Sequence, residues 1–283
     1  MTGLETVDVL REYRFRCNTS HLQQFFIVDD SIINKLVESA EIDAKETVLE
    51  IGTGIGNLTC ELAKKARKVI GVEIDKRFMP ILAETLQGYS NIEVIYKDAL
   101  RIRWPKFNCL VASVPFTIVE PIIYRLTKLR FRSALLVLGD RFKQTTIEFG
   151  LNPNSSPVSK LSALTHVYFN VEQIGTIEKD QFYPTPRTDA VIVKLTYKKR
   201  KEKLSPFLRK CRLIFSRPNS LVRHIIFGDE ENTRGGWRYD ISAPEDLDRD
   251  LDTLSEKILN KRADALSNSD FAELFKFYER KRA

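Results

Sequence analysis

Apolar residues recur at two different periods along roughly the first two-thirds of the chain. Between Asp29 and Ala40, the residues Ile32, Ile33, Leu36, Val37 and Ala40 fall at helical spacing, with Asp29 or Asp30 placed as N-cap. Positions 46–51 (ETVLEI) read as a buried strand, and a glycine turn over Gly52–Gly56 leads into a helix at 57–66. The alternation continues with a strand at 68–74, a helix at 78–86 and strands at 92–96 and 107–112. A helix at 119–126 and a strand at 133–138 complete it. Strands alternating with helices predict an α/β fold with a parallel, doubly wound sheet. Positions 165–172 and 190–197 (AVIVKLTY) read as two more strands, closing one sheet edge as an antiparallel pair.

After Tyr197 the composition changes. Positions 198–223 carry ten bases against the single acid Glu202. A boundary near residue 200 is expected, dividing a sheet domain (1–200) from a small, mainly helical, basic RNA-binding domain (201–283). At 283 residues the chain is long enough for both. A net charge of +7, from 45 bases and 38 acids, leans mildly toward an anionic partner such as nucleic acid. A second set of bases, Arg125, Lys128, Arg130, Arg132, Arg141 and Lys143, is expected beside the site and completes an RNA path. Cys17, Cys60, Cys109 and Cys211 show no CxxC pairing, and His21, His166 and His224 have no metal spacing, so no metal is expected. No stretch approaches the roughly 20 apolar residues of a spanning helix. A cytoplasmic monomer with no membrane partner is the expectation.

The chemistry concentrates at strand ends. In LEIGTGIG (49–56) the glycines let a ligand approach the backbone closely, and the helix behind them offers free N–H groups. Alone, this turn fits a dinucleotide fold equally well. Glu73 ends the second strand, where a carboxylate accepts from both hydroxyls of a ribose. Asp98, after the third strand, can sit beside an adenine amino group. All three features fall at carboxyl ends of successive strands, where open α/β sheets bind ligands. They point to an adenosine-containing cofactor. A GxGxG turn with no arginine cluster for a pyrophosphate favours S-adenosylmethionine over a dinucleotide.

Several motifs in order then carry a resemblance: QQFFIVDD, VLEIGTGIGNLT, VIGVEID, YKDAL, FYPTPRTDAVIVKL and LIFSRPNSLVRHII. The chain resembles the ribosomal RNA adenine dimethyltransferases over roughly residues 20–275. This implies a Rossmann-like, S-adenosylmethionine-dependent methyltransferase sheet. It also implies transfer to the N6 atoms of adenosines in small-subunit rRNA, as free RNA or in a pre-ribosomal small subunit. The implied cofactor contacts are Gln24, Phe26, Gly52, Gly54, Glu73, Asp98 and Ser113. The family's Asn-Leu-Pro-Tyr tetrapeptide is matched here by Ser113, Val114, Pro115 and Phe116, the implied catalytic set. There the first side chain and the carbonyl of the second residue hold the amino group, proline stiffens the turn, and the ring stacks on the base. Two departures, Ser113 and the stretch VLGDRFKQT (137–145), fall on the substrate side. They keep open a second reading, a catalytically impaired RNA-binding or assembly factor, and a third, methylation of a different substrate, as a single methyl transfer or at another base.

Overall fold

The computed structural model describes residues 3–147, 160–198, 219–227, 256–267, 270, 273 and 274. The chain forms two compact units, one of residues 1–143 with 169–197 and the other of residues 144–168 with 198–283.

The first unit holds a seven-stranded sheet. Its strands are β2 (Thr47–Ile51), β3 (Lys68–Glu73), β4 (Ile92–Tyr96), β5 (Cys109–Ser113), β6 (Ser133–Gly139), β7 (Phe169–Ile177) and β9 (Ala190–Tyr197), in the order β4-β3-β2-β5-β6-β9-β7. The pairs among β2 to β6 are parallel, and β9 runs antiparallel to both β6 and β7. Every residue of β2 (TVLEI) and β6 (SALLVLG) is buried. Continuous apolar runs of this kind are what a parallel sheet covered on both faces requires. The crossovers are α3 (Asn57–Ala63), α4 (Met79–Thr85) and α5 (Phe116–Leu126). Before them, α2 (Asp30–Ser39) is capped by Asp29, whose carboxylate accepts from the Ser31 N–H. Its Ile32, Ile33, Leu36 and Val37 sit in the same core cluster as Val48, Val69, Val111 and Leu135.

The doubly wound sheet and its antiparallel closing pair match the sequence pattern. Three local features differ. Positions 165–168 lie in a helix, α7 (Lys160–Tyr168), and the strand begins at Phe169 and extends to Ile177. Val167, Tyr168 and Phe169 are apolar in a row, and a short apolar run has no period to separate helix from strand. A register shift between Gln173 and Gly175 lets β7 run longer than its alternation suggests. The sequence pattern also gave no sign of α1 (Gly3–Glu12) or of the two-residue pair β1 (Phe26–Ile27) with β8 (Phe182–Tyr183). In α1, Thr6 and Leu10 are buried, with Leu10 in a cluster with Ile55, Phe78, Ile81 and Leu82. A short α6 (Asp140–Phe142) follows β6.

In the second unit, α8 (Val222–Phe227) and α9 (Glu256–Leu259) bury Val222, Ile225, Ile258 and Leu259. Leu221 and Arg262 form an antiparallel bridge, and Lys261 pairs with Asp270 at 2.6 Å. Most of the basic run 198–223 lies outside the described residues. No helix among the described residues is long and apolar enough to cross a membrane.

Candidate active site

The sheet order reverses direction between β2 and β5, with β3 beyond the first and β6 beyond the second. Such a switch point leaves a crevice at the carboxyl ends of the strands. Ile51 and Ala112 are register partners there, so the glycine turn and the Ser113 strand end stand side by side. A cavity of about 340 Å³ opens above them. Glu73, Asp98, Gln24, Phe26 and the Ser113–Pro115 turn all line it.

The glycines are required by their surroundings. Gly52 has φ +84°, and a Cβ there would stand 3.3 Å from the Ser113 carbonyl oxygen. Gly54 has φ +57°, and a Cβ would stand 3.1 Å from the Phe26 ring. A side chain would also strain the left-handed backbone. The Gly54 N–H donates to Glu73 Oε2 at 2.8 Å, and the Asp75 N–H donates to Oε1 at 2.8 Å. Glu73 is only 5% exposed. Burial pushes its carboxyl up, and the amide donors work against that. The Ile74 amide also donates to this carboxylate, whose two oxygens have acceptor capacity beyond these three amides.

Residues 15–26 are laced down beside this wall. The Gln24 side chain donates to Asp75 Oδ2 at 2.8 Å and accepts from the Asn18 N–H at 2.7 Å. Its amide therefore holds the segment in place while lining the cavity. Burial alone would raise Asp75, but the Arg77 and Gln24 hydrogen bonds outweigh it and hold the carboxyl low. Arg77 lies 4.4 Å over the Phe15 ring, which stacks on Phe78. Phe26 meets Phe78 edge-on, with ring centroids 5.9 Å apart.

Asp98 accepts from the Leu100 N–H at 2.8 Å and stands 3.3 Å from Arg101, with its side chain 31% exposed. Glu50, Thr53 and Asn57, none of them singled out by the sequence pattern, also line the cavity. Thr53 and Asn57 are buried, and Thr53 Oγ1 and Asn57 Oδ1 have no hydrogen-bond partner among the described residues. The Asn57 amide N–H donates to Thr6 Oγ1, which leaves its oxygen free. Glu50 is 1% exposed, and burial pushes its carboxyl up to about 8, against a hydrogen bond from Thr59 at 2.6 Å. These residues sit inside the glycine motif itself. A polar residue between glycines was the available signal.

On the other side, Ser113 ends β5 as the register partner of Val137. Its hydroxyl has no hydrogen-bond partner among the described residues. Val114 is buried, Pro115 precedes the first residue of α5, and Phe116 opens that helix. The Phe116 side chain lies outside the described residues. Pro121, inside α5, has no N–H for the carbonyl of Thr117, another cavity residue.

The expected second basic cluster does not gather at the cavity. Arg132 precedes β6, at the amino end of the sheet, and pairs with Glu46 at 2.7 Å. Lys128 lies over the Tyr124 ring at 4.2 Å. The Arg125 guanidinium is turned onto backbone carbonyls of its own unit. The Arg141 side chain lies outside the described residues. None of the six bases lines the cavity.

The family model described as ribosomal RNA adenine dimethylase matches residues 14–228. The chain belongs to that family. A probable ribosomal RNA small subunit methyltransferase A of Pyrococcus abyssi is 36% identical over 202 residues, covering 71% of this chain and 73% of that protein. A ribosomal RNA small subunit methyltransferase A of Clostridium botulinum is 34% identical over 200 residues, or 68% and 71% of the two chains. The crystal structure of a dimethyladenosine transferase from Plasmodium falciparum superposes with a TM-score of 0.68 at 27% identity, covering 91% and 98%. This dimethylase-family chain is thus a ribosomal RNA adenine methyltransferase with S-adenosylmethionine as its methyl donor. The cavity fits that group. Its glycine cradle would be filled by a single Cβ, its acidic wall keeps open acceptors, and two buried polar atoms await partners.

Proposed function

We propose that this enzyme methylates the N6 atoms of adenines in small-subunit ribosomal RNA, placing two methyl groups on each. The observation that carries this is the convergence of Glu73, Asp98 and the Ser113–Pro115 strand end on one cavity. The names and coverage of the relatives support the small subunit as the source of substrate.

When bound, the cofactor supplies a methyl group on a positively charged sulfur. Glu73 accepts from the ribose hydroxyls with the oxygens already oriented by Gly54 and Asp75. Asp98, held by the Leu100 amide, accepts from the adenine amino group of the cofactor. An unstacked target base enters beside Pro115, with Phe116 as its stacking ring. The Ser113 hydroxyl and the Val114 carbonyl accept from the target amino group. That amino nitrogen is a weak nucleophile because its lone pair is delocalised. Fixing it in line and accepting its protons favours the charge that develops on it. No general base is needed, since an alkylated amino group loses its proton readily.

Incubation of the enzyme with labelled S-adenosylmethionine and undermethylated small subunits, followed by mapping of modified adenosines, tests this. Dimethylated adenines in the RNA are expected. Cofactor binding without transfer, unrelieved by Ser113→Asn, would establish the binding-factor reading instead. Glu73→Ala is expected to weaken cofactor binding about a hundredfold, since charged hydrogen bonds contribute roughly 1.5–3 kcal/mol each. Calorimetry with S-adenosylhomocysteine reads this directly, and unchanged affinity would remove Glu73 from the site.

A further inference from the structure

The half-buried Arg125, nine positions after Phe116 in α5, does work that neither its charge nor its sequence context suggested. Its Nη1 donates to the Ala99 carbonyl at 2.5 Å, and its Nη2 donates to the Ile102 carbonyl at 2.5 Å. The guanidinium carbon stands 4.9 Å from the centroid of the Trp104 ring. Trp104 is buried, and its indole N–H donates to the same Ala99 carbonyl at 2.8 Å. One planar fork thus closes the 98–104 loop upon itself and ties it to α5. Arginine suits this because its rigid fork spans two carbonyls while its face stacks on an indole.

Both tied pieces reach the cavity. Lys97, Asp98, Ala99 and Leu100 line it. The first turn of α5 contributes Thr117 and Ile118 beside Ser113, Val114 and Pro115. We propose that Arg125 is a positioning residue that fixes the Asp98 loop relative to the Ser113–Pro115 strand end. It holds the adenine end of the cofactor pocket in register with the methyl-transfer end. The inference rests on the reading above that Asp98 faces the cofactor's adenine.

Arg125→Met, Arg125→Lys and Trp104→Phe are the variants that test it. Affinity for S-adenosylhomocysteine is measured by calorimetry, and affinity for small-subunit RNA across a salt series. Arg125→Met weakens cofactor binding by about thirtyfold, because only part of the cost of losing two charge-assisted bonds to carbonyls falls on the cofactor-bound state. Arg125→Lys restores little of it, because an ammonium is a point donor without the fork. The rate at saturating cofactor stays within about threefold of the parent, and the salt dependence of RNA binding is unchanged. Unchanged cofactor affinity, with weaker RNA binding and a salt slope shallower by about one, would make Arg125 a phosphate-contacting base and overturn the proposal. Should Arg125→Met fail to fold, Trp104→Phe carries the test, since it removes only the indole and its N–H. Cofactor binding weakened by about threefold or more supports the brace, and unchanged binding overturns it. Asp98→Ala separates the two readings. If it leaves cofactor affinity unchanged, the assignment of Asp98 falls. If it weakens binding while the Arg125 and Trp104 variants do not, only the brace falls.

Discussion

Replacing Ser113 by Asn raises the rate of methyl transfer by about a hundredfold, the gain expected from one correctly aimed acceptor at a reacting group. Ser113 ends β5, and its carbonyl oxygen lies 3.3 Å from where a Cβ on Gly52 would be. The backbone at this point is therefore fixed by the neighbouring turn, and only side-chain reach differs between the two residues. The serine hydroxyl is a single acceptor close to the backbone. An asparagine carbonyl extends further into the cavity and leaves its NH₂ group for a second partner. Because the contact forms at the reacting nitrogen, the gain falls on kcat. Single-turnover transfer to undermethylated small subunits reads it. A rate unmoved by Ser113→Asn would mean that the Val114 carbonyl holds the amino group by itself.

The stability of the protein falls as pH rises from 5 to 7.5, by roughly 3 kcal/mol attributable to Glu50. This carboxyl lies at the end of β2, 1% exposed and near Glu73, and burial pushes it up to about 8. In the unfolded chain it titrates at its ordinary value of 4.5. Between those values the folded state holds a proton that the unfolded state has released. Raising pH therefore favours unfolding, and the loss is complete above the folded value. His166 acts in the opposite sense, because burial pulls its imidazole down. For this reason the measurement is a difference. Denaturant unfolding of Glu50→Gln, compared with the parent at each pH, cancels every other group. The gap between the two proteins narrows toward pH 5 and widens toward pH 7.5. A gap independent of pH would show that Glu50 is ionised in the folded state.

Legibility in the sequence tracked the length scale of the cause. The parallel strands were readable because each is a short apolar run bounded by turn residues, and the repeat of strand and helix admits few topologies. The α7–β7 junction was not, since its apolar residues serve a helix up to Tyr168 and a strand from Phe169 on. The candidate site was half legible. Glu73 and the glycines stand out because a strand end needs them in fixed order. Glu50, Thr53 and Asn57 lie within the same motif, yet their importance comes from burial, which spacing does not report.

The sequence by itself determined the α/β class and the family. The class is written in the repeat of strand and helix and the family in short motifs in order, and neither needs knowledge of which elements pack together. Only the tertiary structure decided what the charged residues do. Arg125 and Arg132 read alike along the chain. Folding turns one onto the carbonyls of Ala99 and Ile102 and the other onto Glu46. A guanidinium has no preferred partner until a backbone presents one, so its role is fixed by packing across elements far apart in sequence.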